Sequence, residues 1–289
     1  MSDGATPTLT EWLALRGGAD ERARRSATPQ LLRHLGLGTT VPPQERLRVV
    51  DVGAGTGANL RHLAPVLARV LADAHPQRRD PAQDWLLLDH DPEVLGRAAE
   101  LLVEAPVGAR TAVATRLGDL AEVDLRDSAD LLTCTALLDV LRADQVDGLV
   151  GALEVARVPA VMALTVTGGV ELDPPHPADA PLARAFDDHQ QRGGRLGPRA
   201  AGHAVQAFGQ AGFEVLVVPT PWRLGPEEPE LLLEWAAGRV EAAAEQDPSL
   251  AGTGRSWLRE RSAQVAQGRL RAVVHHVDLA ARPPADAPR

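Results

Sequence analysis

The chain has no lysine, no tyrosine and no isoleucine, and it holds a single cysteine and three phenylalanines in 289 residues. All 30 basic residues are therefore arginine, a bias that fits GC-rich coding better than a function. The absences still restrict chemistry. With neither lysine nor tyrosine, any proton acceptor must be Asp, Glu, His or water. One cysteine excludes an internal disulfide and a cysteine-rich metal site. The nine histidines show no spacing such as H-E-x-x-H, so no metal is expected. No run approaches the 18 apolar residues of a membrane span, and the polar N-terminus lacks a basic-then-apolar leader pattern. A net charge of −9 speaks against nucleic acid, whose binding rests on neutralising phosphates. The expectation is a soluble, cytoplasmic protein, monomer or homodimer, with a small-molecule ligand.

What is present is concentrated in one stretch. Val49-Val50-Asp51-Val52-Gly53-Ala54-Gly55-Thr56-Gly57 is a short apolar run that ends in an acid and enters glycines at every second position, and a helical pattern follows from Ala58 to Leu71. This predicts strand, tight turn and helix. Glycines allow a sharp turn and let a ligand lie against bare main chain, and the helix N-terminus behind them offers unpaired N–H groups. A dinucleotide fingerprint would read G-x-G-x-x-G with an acid about 20 residues on. Here the spacing is G-x-G-x-G, preceded by Asp51. A glycine-rich turn with no ligand is the plain alternative.

The form [D/E]-x-G-x-G-x-G resembles the first motif of the class I S-adenosylmethionine-dependent methyltransferases. Three further segments follow in the order that family requires. Trp85-Leu86-Leu87-Leu88-Asp89 resembles its second strand, whose terminal acid binds the ribose hydroxyls, and Asp91 then caps the next helix. Ala112–Asp119 resembles the third strand and its Gly-Asp near the adenine, and Asp130–Asp139 the fourth strand with its loop. The resemblance covers about residues 47–140. It implies a cofactor, S-adenosyl-L-methionine (with S-adenosyl-L-homocysteine as product), held by Asp51, Gly53, Ala54, Gly55, Gly57, Asp89, His90, Asp119, Leu120 and Thr133. It also implies a Rossmann-like α/β fold with a seven-stranded, mostly parallel sheet whose seventh strand runs antiparallel. The connection His75–Pro81 is longer and more polar than usual and is read as a surface excursion.

The remainder of the chain suggests how an acceptor is enclosed. Two amphipathic helices over residues 9–36, joined around Arg16–Arg25, would make residues 1–45 a lid. The methyltransferase domain would span 46–282, and the Pro/Ala-rich 283–289 a disordered tail. Ala160–Thr167 reads as a fifth strand covered on both faces. Phe213–Val218 reads as the sixth strand and Leu270–Ala280 as the seventh. Insertions at about 168–197 and 219–268 leave from strand ends where ligands bind in open α/β sheets, and read as a helical cap.

Candidate residues follow from that placement, each with a plainer alternative. Asp139, just past the fourth strand, can be a general base or the partner of the next helix. His189, beside Gln190 in the first insertion, can be a base or a surface histidine. Trp222 and Arg223 can offer an apolar wall and a carboxylate fork, or pack the loop on the sheet. Arg16 and Arg25 can reach a carboxylate or form a solvated helix face. His275 and His276 should point to opposite faces of a strand and read as core or edge histidines. Asp173-Pro174-Pro175-His176 is similar to the D-P-P-[YF] motif of amino-methyltransferases, but it follows the wrong strand and lacks the aromatic, so it reads as a rigid turn. Cys134 reads as an inert buried thiol. The expected activity is methyl transfer to a small molecule, with oxygen the favoured acceptor atom. A cofactor-binding protein without catalysis and a nicotinamide oxidoreductase remain as alternatives.

Overall fold

The computed structural model describes residues 7–37, 46–74, 81–108, 110–120, 125 and 129–284. The excursion at 75–80, the last five residues of the tail and parts of the N-terminal segment lie outside these.

An eight-stranded sheet forms the centre, in the order β3-β2-β1-β4-β5-β8-β6, with the short β7 paired to β8. β1 (Leu47–Val52), β2 (Gln83–Asp89), β3 (Thr111–Leu117), β4 (Leu131–Thr135) and β5 (Ala160–Asp173) pair in parallel from β3 across to β5. β8 (Arg271–Arg282) runs antiparallel to both β5 and β6 (Glu214–Pro219). The central strands read as continuous apolar runs because both faces are covered. β1 is buried at five of six positions, whereas the edge strand β3 is largely exposed. The Rossmann-like order expected from the motifs is present, with one strand more than the seven expected, since Trp222–Leu224 (β7) is a strand rather than a loop.

Helix α2 (Ala27–His34) precedes β1, α3 (Ala58–Ala74) and α4 (Pro92–Glu104) follow the first two strands, and α5 (Ala143–Ala156) and α7 (Ala200–Gln210) pack in the layer of a core cluster that includes Leu149, Leu153, Ala204 and Phe208. Asp91 caps α4 by accepting from the Glu93 N–H, as its position before Pro92 predicted.

Two elements depart from the sequence reading. The first is α1 (Leu9–Arg24), a single helix that runs through Gly17-Gly18, where a connection was expected. Thr8 and Glu11 form a capping box at its start. Two glycines cost such a helix about 1 kcal/mol each. Docking outweighs this: Arg24 is buried against Asp278 of β8, and Arg22 pairs with Glu228, just before the helix that starts at Pro229. The second is β5, which continues to Asp173 rather than ending at Thr167. Register shifts between Met162 and Thr165 and between Val166 and Val170 bend it without ending its pairing with β8. Leu164 sits at φ 53° in the first shift, a strained position for leucine, and its N–H is held by Asp278 Oδ1 at 2.8 Å.

The extended ends of β5 and β8, with β7, carry the cap. α6 (Asp179–Gln190), α8 (Pro229–Gln246) and α9 (Ala251–Ala266) share with them a separate hydrophobic cluster of Leu182, Trp222, Leu224, Leu232, Trp235, Trp257 and Val274, among others. The two main sheet faces have their own clusters. No described helix is long and apolar enough to cross a membrane.

Candidate functional site

The glycine turn after β1 lies at the carboxyl edge of the sheet. Gly53 and Gly55 adopt φ of 61° and 54°, the left-handed region that glycine enters without penalty. A Cβ at Gly53 would lie 2.9 Å from Leu137 Cδ1, and one at Gly55 would lie 3.3 Å from Leu13 Cδ1 of α1. The turn is thus bare main chain with α1 lying over it.

Asp89, at the end of β2, is buried and clamps this turn. Its Oδ2 accepts the Gly55 N–H at 2.8 Å and its Oδ1 the Asp91 N–H at 3.0 Å. A carboxylate offers about four acceptor sites, and although His90 Nδ1 also stands 3.3 Å from Oδ1, acceptor capacity remains, on Oδ2 above all. Asp51 lies deeper. It accepts from Asn59 Nδ2 and Thr133 Oγ1, both at 2.7 Å, while Oδ2 is buried with no partner. Burial pushes its carboxyl up to about 6, against the lowering effect of those two bonds.

Two cavities meet at this edge. One of about 430 Å³ is lined by Gly53, Asp89, His90, Gly118, Asp119, Leu120 and Leu137, among others. The other, of about 450 Å³, shares Gly53, Asp89, His90, Leu137 and Val140 with it and extends under the cap. α1 supplies Leu9, Trp12, Leu13, Arg16 and Asp20 to the second cavity, which are one helical face. Val166, Trp222, Val274 and His276 line it from the strands, and Phe186, Gln190, Trp235 and Arg239 from the cap.

Aromatic rings make one wall of the second cavity. Trp222 packs 6.4 Å from Trp12 and 4.9 Å from His276, centroid to centroid. Its Nε1 donates to Asp20 Oδ1 at 2.9 Å, Arg16 Nε donates to Asp20 Oδ2 at 2.8 Å, and the Arg16 guanidinium lies 5.4 Å above the Trp222 ring.

Most candidate residues from the sequence come together here: Gly53, Ala54, Gly55, Asp89, His90, Asp139, Arg16, Gln190 and Trp222 line the larger cavity, and Asp119 and Leu120 the smaller. Asp139 sits in a short 3-10 turn after β4, with Oδ1 buried and unbonded and its carboxyl raised by burial. Others fall elsewhere. Asp51, Gly57 and Thr133 line neither cavity. Thr133 is buried two residues below Thr135 on the same face of β4, where it holds Asp51, and only Thr135 at the strand's end reaches the cavity. Arg223 is exposed between the buried Trp222 and Leu224, by the same alternation. His189 lies one position short of Gln190 on α6 and turns toward Glu245 of α8, at 2.9 Å. Arg25 is exposed beside Glu21. The Asp173–Pro174 turn lies at the far end of β5, where Pro174 O accepts from Arg261 at 2.7 Å. Cys134 is buried against Met162, and burial raises its thiol.

The sequence reading missed His276 and Arg239. His276 lines the cavity, with Nδ1 donating to Val274 O at 3.0 Å, which leaves the Nε2 lone pair free in the neutral ring. Burial, then the charge of Arg16, lowers it to about 4. The register Trp222↔Val274 chose this face over that of His275, which pairs with Glu171. Arg239 had a visible signal: it falls on the apolar stripe of Leu232, Trp235, Ala236, Val240 and Ala243.

No protein-family model and no curated protein matches the chain by sequence. Solved structures do match in shape. A loganic acid methyltransferase solved with S-adenosylhomocysteine superposes with a TM-score of 0.61 at 13% identity, covering 99% of this chain and 98% of that one. A geranyl diphosphate methyltransferase with S-adenosylmethionine gives 0.45 at 12% identity, covering 97% and 93%. A cyclopropane synthase from Mycobacterium tuberculosis gives 0.45 at 10%, covering 88% and 84%. With its strand order and the full-length superposition on the first of these, the chain has the Rossmann-like fold of the class I methyltransferases.

Proposed function

We propose that this chain transfers a methyl group from S-adenosyl-L-methionine to a small-molecule acceptor, with an acceptor oxygen as nucleophile. The observation that carries the reading is the bare glycine turn clamped by Asp89 between two joined cavities. Gly53 and Gly55 give the main-chain cradle, the spare acceptor sites of Asp89 suit ribose hydroxyls, and Asp119 and Leu120 line the adenine end. The unpartnered Asp51 Oδ2 and Thr135 Oγ1 are buried polar atoms beside that cradle that a ligand's amino group or a water can satisfy. The cofactor supplies a methyl group already activated on a sulfonium, so the protein's task is alignment and exclusion of water.

The larger cavity performs that task with α1 and the cap as its roof. A hydroxyl acceptor must lose a proton, and among the described residues Asp139 Oδ1 and His276 Nε2 are unbonded atoms of the cavity wall that can serve as a base. Asp139 is the stronger candidate. Burial lifts its carboxyl toward the working range, whereas it lowers His276 to about 4, a weak base at neutral pH. His276 then serves as a hydrogen-bond acceptor that orients the hydroxyl.

The test is cofactor binding. S-adenosylhomocysteine should raise the melting temperature, and NAD should not, because a ligand that binds only the folded state stabilises it. Gly55→Val should abolish the shift, since its side chain would fill the cradle at a left-handed φ. An undiminished shift in that variant sinks the reading.

A further inference from the structure

Arg239 is buried to 9% exposure, yet its guanidinium hydrogen-bonds to no described residue, and Nη2 is fully enclosed without a partner. Its Cζ lies 4.1 Å from the centre of the Phe186 ring and 5.1 Å from that of Trp235. Asp187 attracts it through space without a hydrogen bond. The two rings recover part of the cost of burying the charge but offer the planar fork no oxygen. Burial lowers the group to about 10, so it stays charged at neutral pH. Gln190, one helical turn beyond Phe186, lines the same cavity, and its amide is likewise unbonded among the described residues.

An enclosed, charged and unpartnered fork between two aromatic faces is incomplete without an anion. A guanidinium takes a carboxylate or phosphate with paired N–H donors. The body of such a ligand would lie against Phe186, Trp235, Trp12 and Trp222, toward Asp139 and the glycine turn.

Resting on the methyltransferase reading, we propose that the acceptor is an oxyanion with an apolar body, whose carboxylate or phosphate is bound by Arg239, with Gln190 beside it. The anion is a handle in the cap, and the atom that receives the methyl group lies at the other end, beside Asp139.

Intrinsic fluorescence gives the test, because the chain has five tryptophans and no tyrosine, and Trp12, Trp222 and Trp235 line the cavity. Protein saturated with S-adenosylhomocysteine is titrated with 3-phenylpropanoate, 3-phenylpropyl phosphate and 3-phenylpropanamide. One or both anions should bind about tenfold or more tighter than the amide, as for hydrogen bonds to a charged group. Which anion leads tells carboxylate from phosphate. In Arg239→Met the preference should vanish, and Arg239→Lys, which keeps the charge but loses the fork, should retain part of it. The wild-type preference needs no variant, so a misfolded Arg239→Met leaves the test intact. Equal or undetectable binding of all three probes overturns the proposal, as does a preference that survives in a folded Arg239→Met. A normal melting shift with S-adenosylhomocysteine but no anion preference defeats this inference alone. Absence of that shift defeats the methyltransferase reading itself.

Discussion

The floor of the larger cavity and the cap side of its roof treat charged groups in opposite ways. In the floor, the acids of β1 and β2 are tied down by the protein: Asp51 by Asn59 and Thr133, Asp89 by the Gly55 and Asp91 N–H groups. In the roof, Arg239 and Gln190 make no hydrogen bond to a described residue. A floor whose acids are held in place by its own chain is preorganised and suits a ligand of fixed shape. A roof with open groups is completed by its ligand and sets specificity, because the wrong molecule leaves those groups unpaired. Asp139, at the boundary, has one unbonded oxygen and belongs with the roof in this respect.

The seam between the two is the place where the comparison breaks most easily. Asp278 Oδ1 accepts from the Leu164 N–H at 2.8 Å and Thr220 Oγ1 at 2.7 Å, and Oδ2 from Arg24 Nε at 3.2 Å. One buried carboxylate therefore holds the bulge of β5, the loop after β6 and α1. Asp278→Ala would strand a buried guanidinium, and removing one partner of a buried pair costs about 3–5 kcal/mol. A fall of that size in urea unfolding is expected. A loss below about 1 kcal/mol would mean that the bulge and α1 hold without Asp278.

The floor itself is tested next. Asp89→Ala removes the clamp on Gly55 and the proposed ribose acceptor together. Hydrogen bonds to a charged group contribute about 1.5–3 kcal/mol, so S-adenosylhomocysteine affinity should drop by about tenfold to a hundredfold by calorimetry. The phenylpropanoate preference over the amide should survive, because the roof is untouched. Loss of both together would show that floor and roof are one unit.

The same division governs what the sequence could tell. The floor is local: strand, glycine turn and helix within Leu47–Ala74, and a strand ending in Asp89 with its cap at Asp91. Spacing alone carries such a unit. The roof depends on pairings between distant residues. β5 continues past Thr167 only because β8, more than 100 residues later, pairs with it across two register shifts. α1 survives Gly17-Gly18 only because Arg24 and Asp20 find partners in β8 and β7. Alternation placed His275 and His276 on opposite faces, but it could not say which face was the cavity. It also separated Trp222 from Arg223, which the loop reading had grouped together.

Acid pH titrates the buried histidines and the buried carboxyls of the site in opposite senses. His276 on β8 in the cavity wall and His62 on α3 are each lowered from 6.5 to about 4, chiefly by burial. Between those values the unfolded chain binds protons that the folded chain refuses, so stability falls as pH drops from about 6.5 to about 4. Asp51 in the floor is raised from 3.8 to about 6. Its folded form holds a proton between those values, so its contribution grows as pH drops through the same range. Burial raises the Asp20, Asp139 and Asp187 carboxyls in the same sense as Asp51, so the histidine contribution is read from a variant rather than from the net change. His276→Gln should raise the unfolding free energy at pH 4.5 relative to pH 7 by up to about 3 kcal/mol against wild type, at about 1.4 kcal/mol per unit. An unchanged difference would mean that His276 is hydrated and titrates normally.

The smallest effect separates neighbours on one strand. Arg223 and Trp222 share β7, but Trp222 is buried in the cavity wall and Arg223 is exposed on the opposite face. Arg223 makes no ion pair with a described residue, and exposed surface substitutions of this kind usually change stability by no more than about 0.5 kcal/mol. Arg223→Ala should therefore leave S-adenosylhomocysteine affinity and the phenylpropanoate titration within about twofold of wild type, which is about 0.4 kcal/mol. Trp222→Ala should weaken phenylpropanoate clearly more, since it removes the ring between Trp12 and His276 and frees Asp20 of a hydrogen bond. His189→Ala, whose ring meets Glu245 outside the cavity, belongs with Arg223. If Arg223→Ala weakens the anion as strongly as Trp222→Ala, strand alternation does not describe this wall, and the edge strand must rotate when a ligand binds.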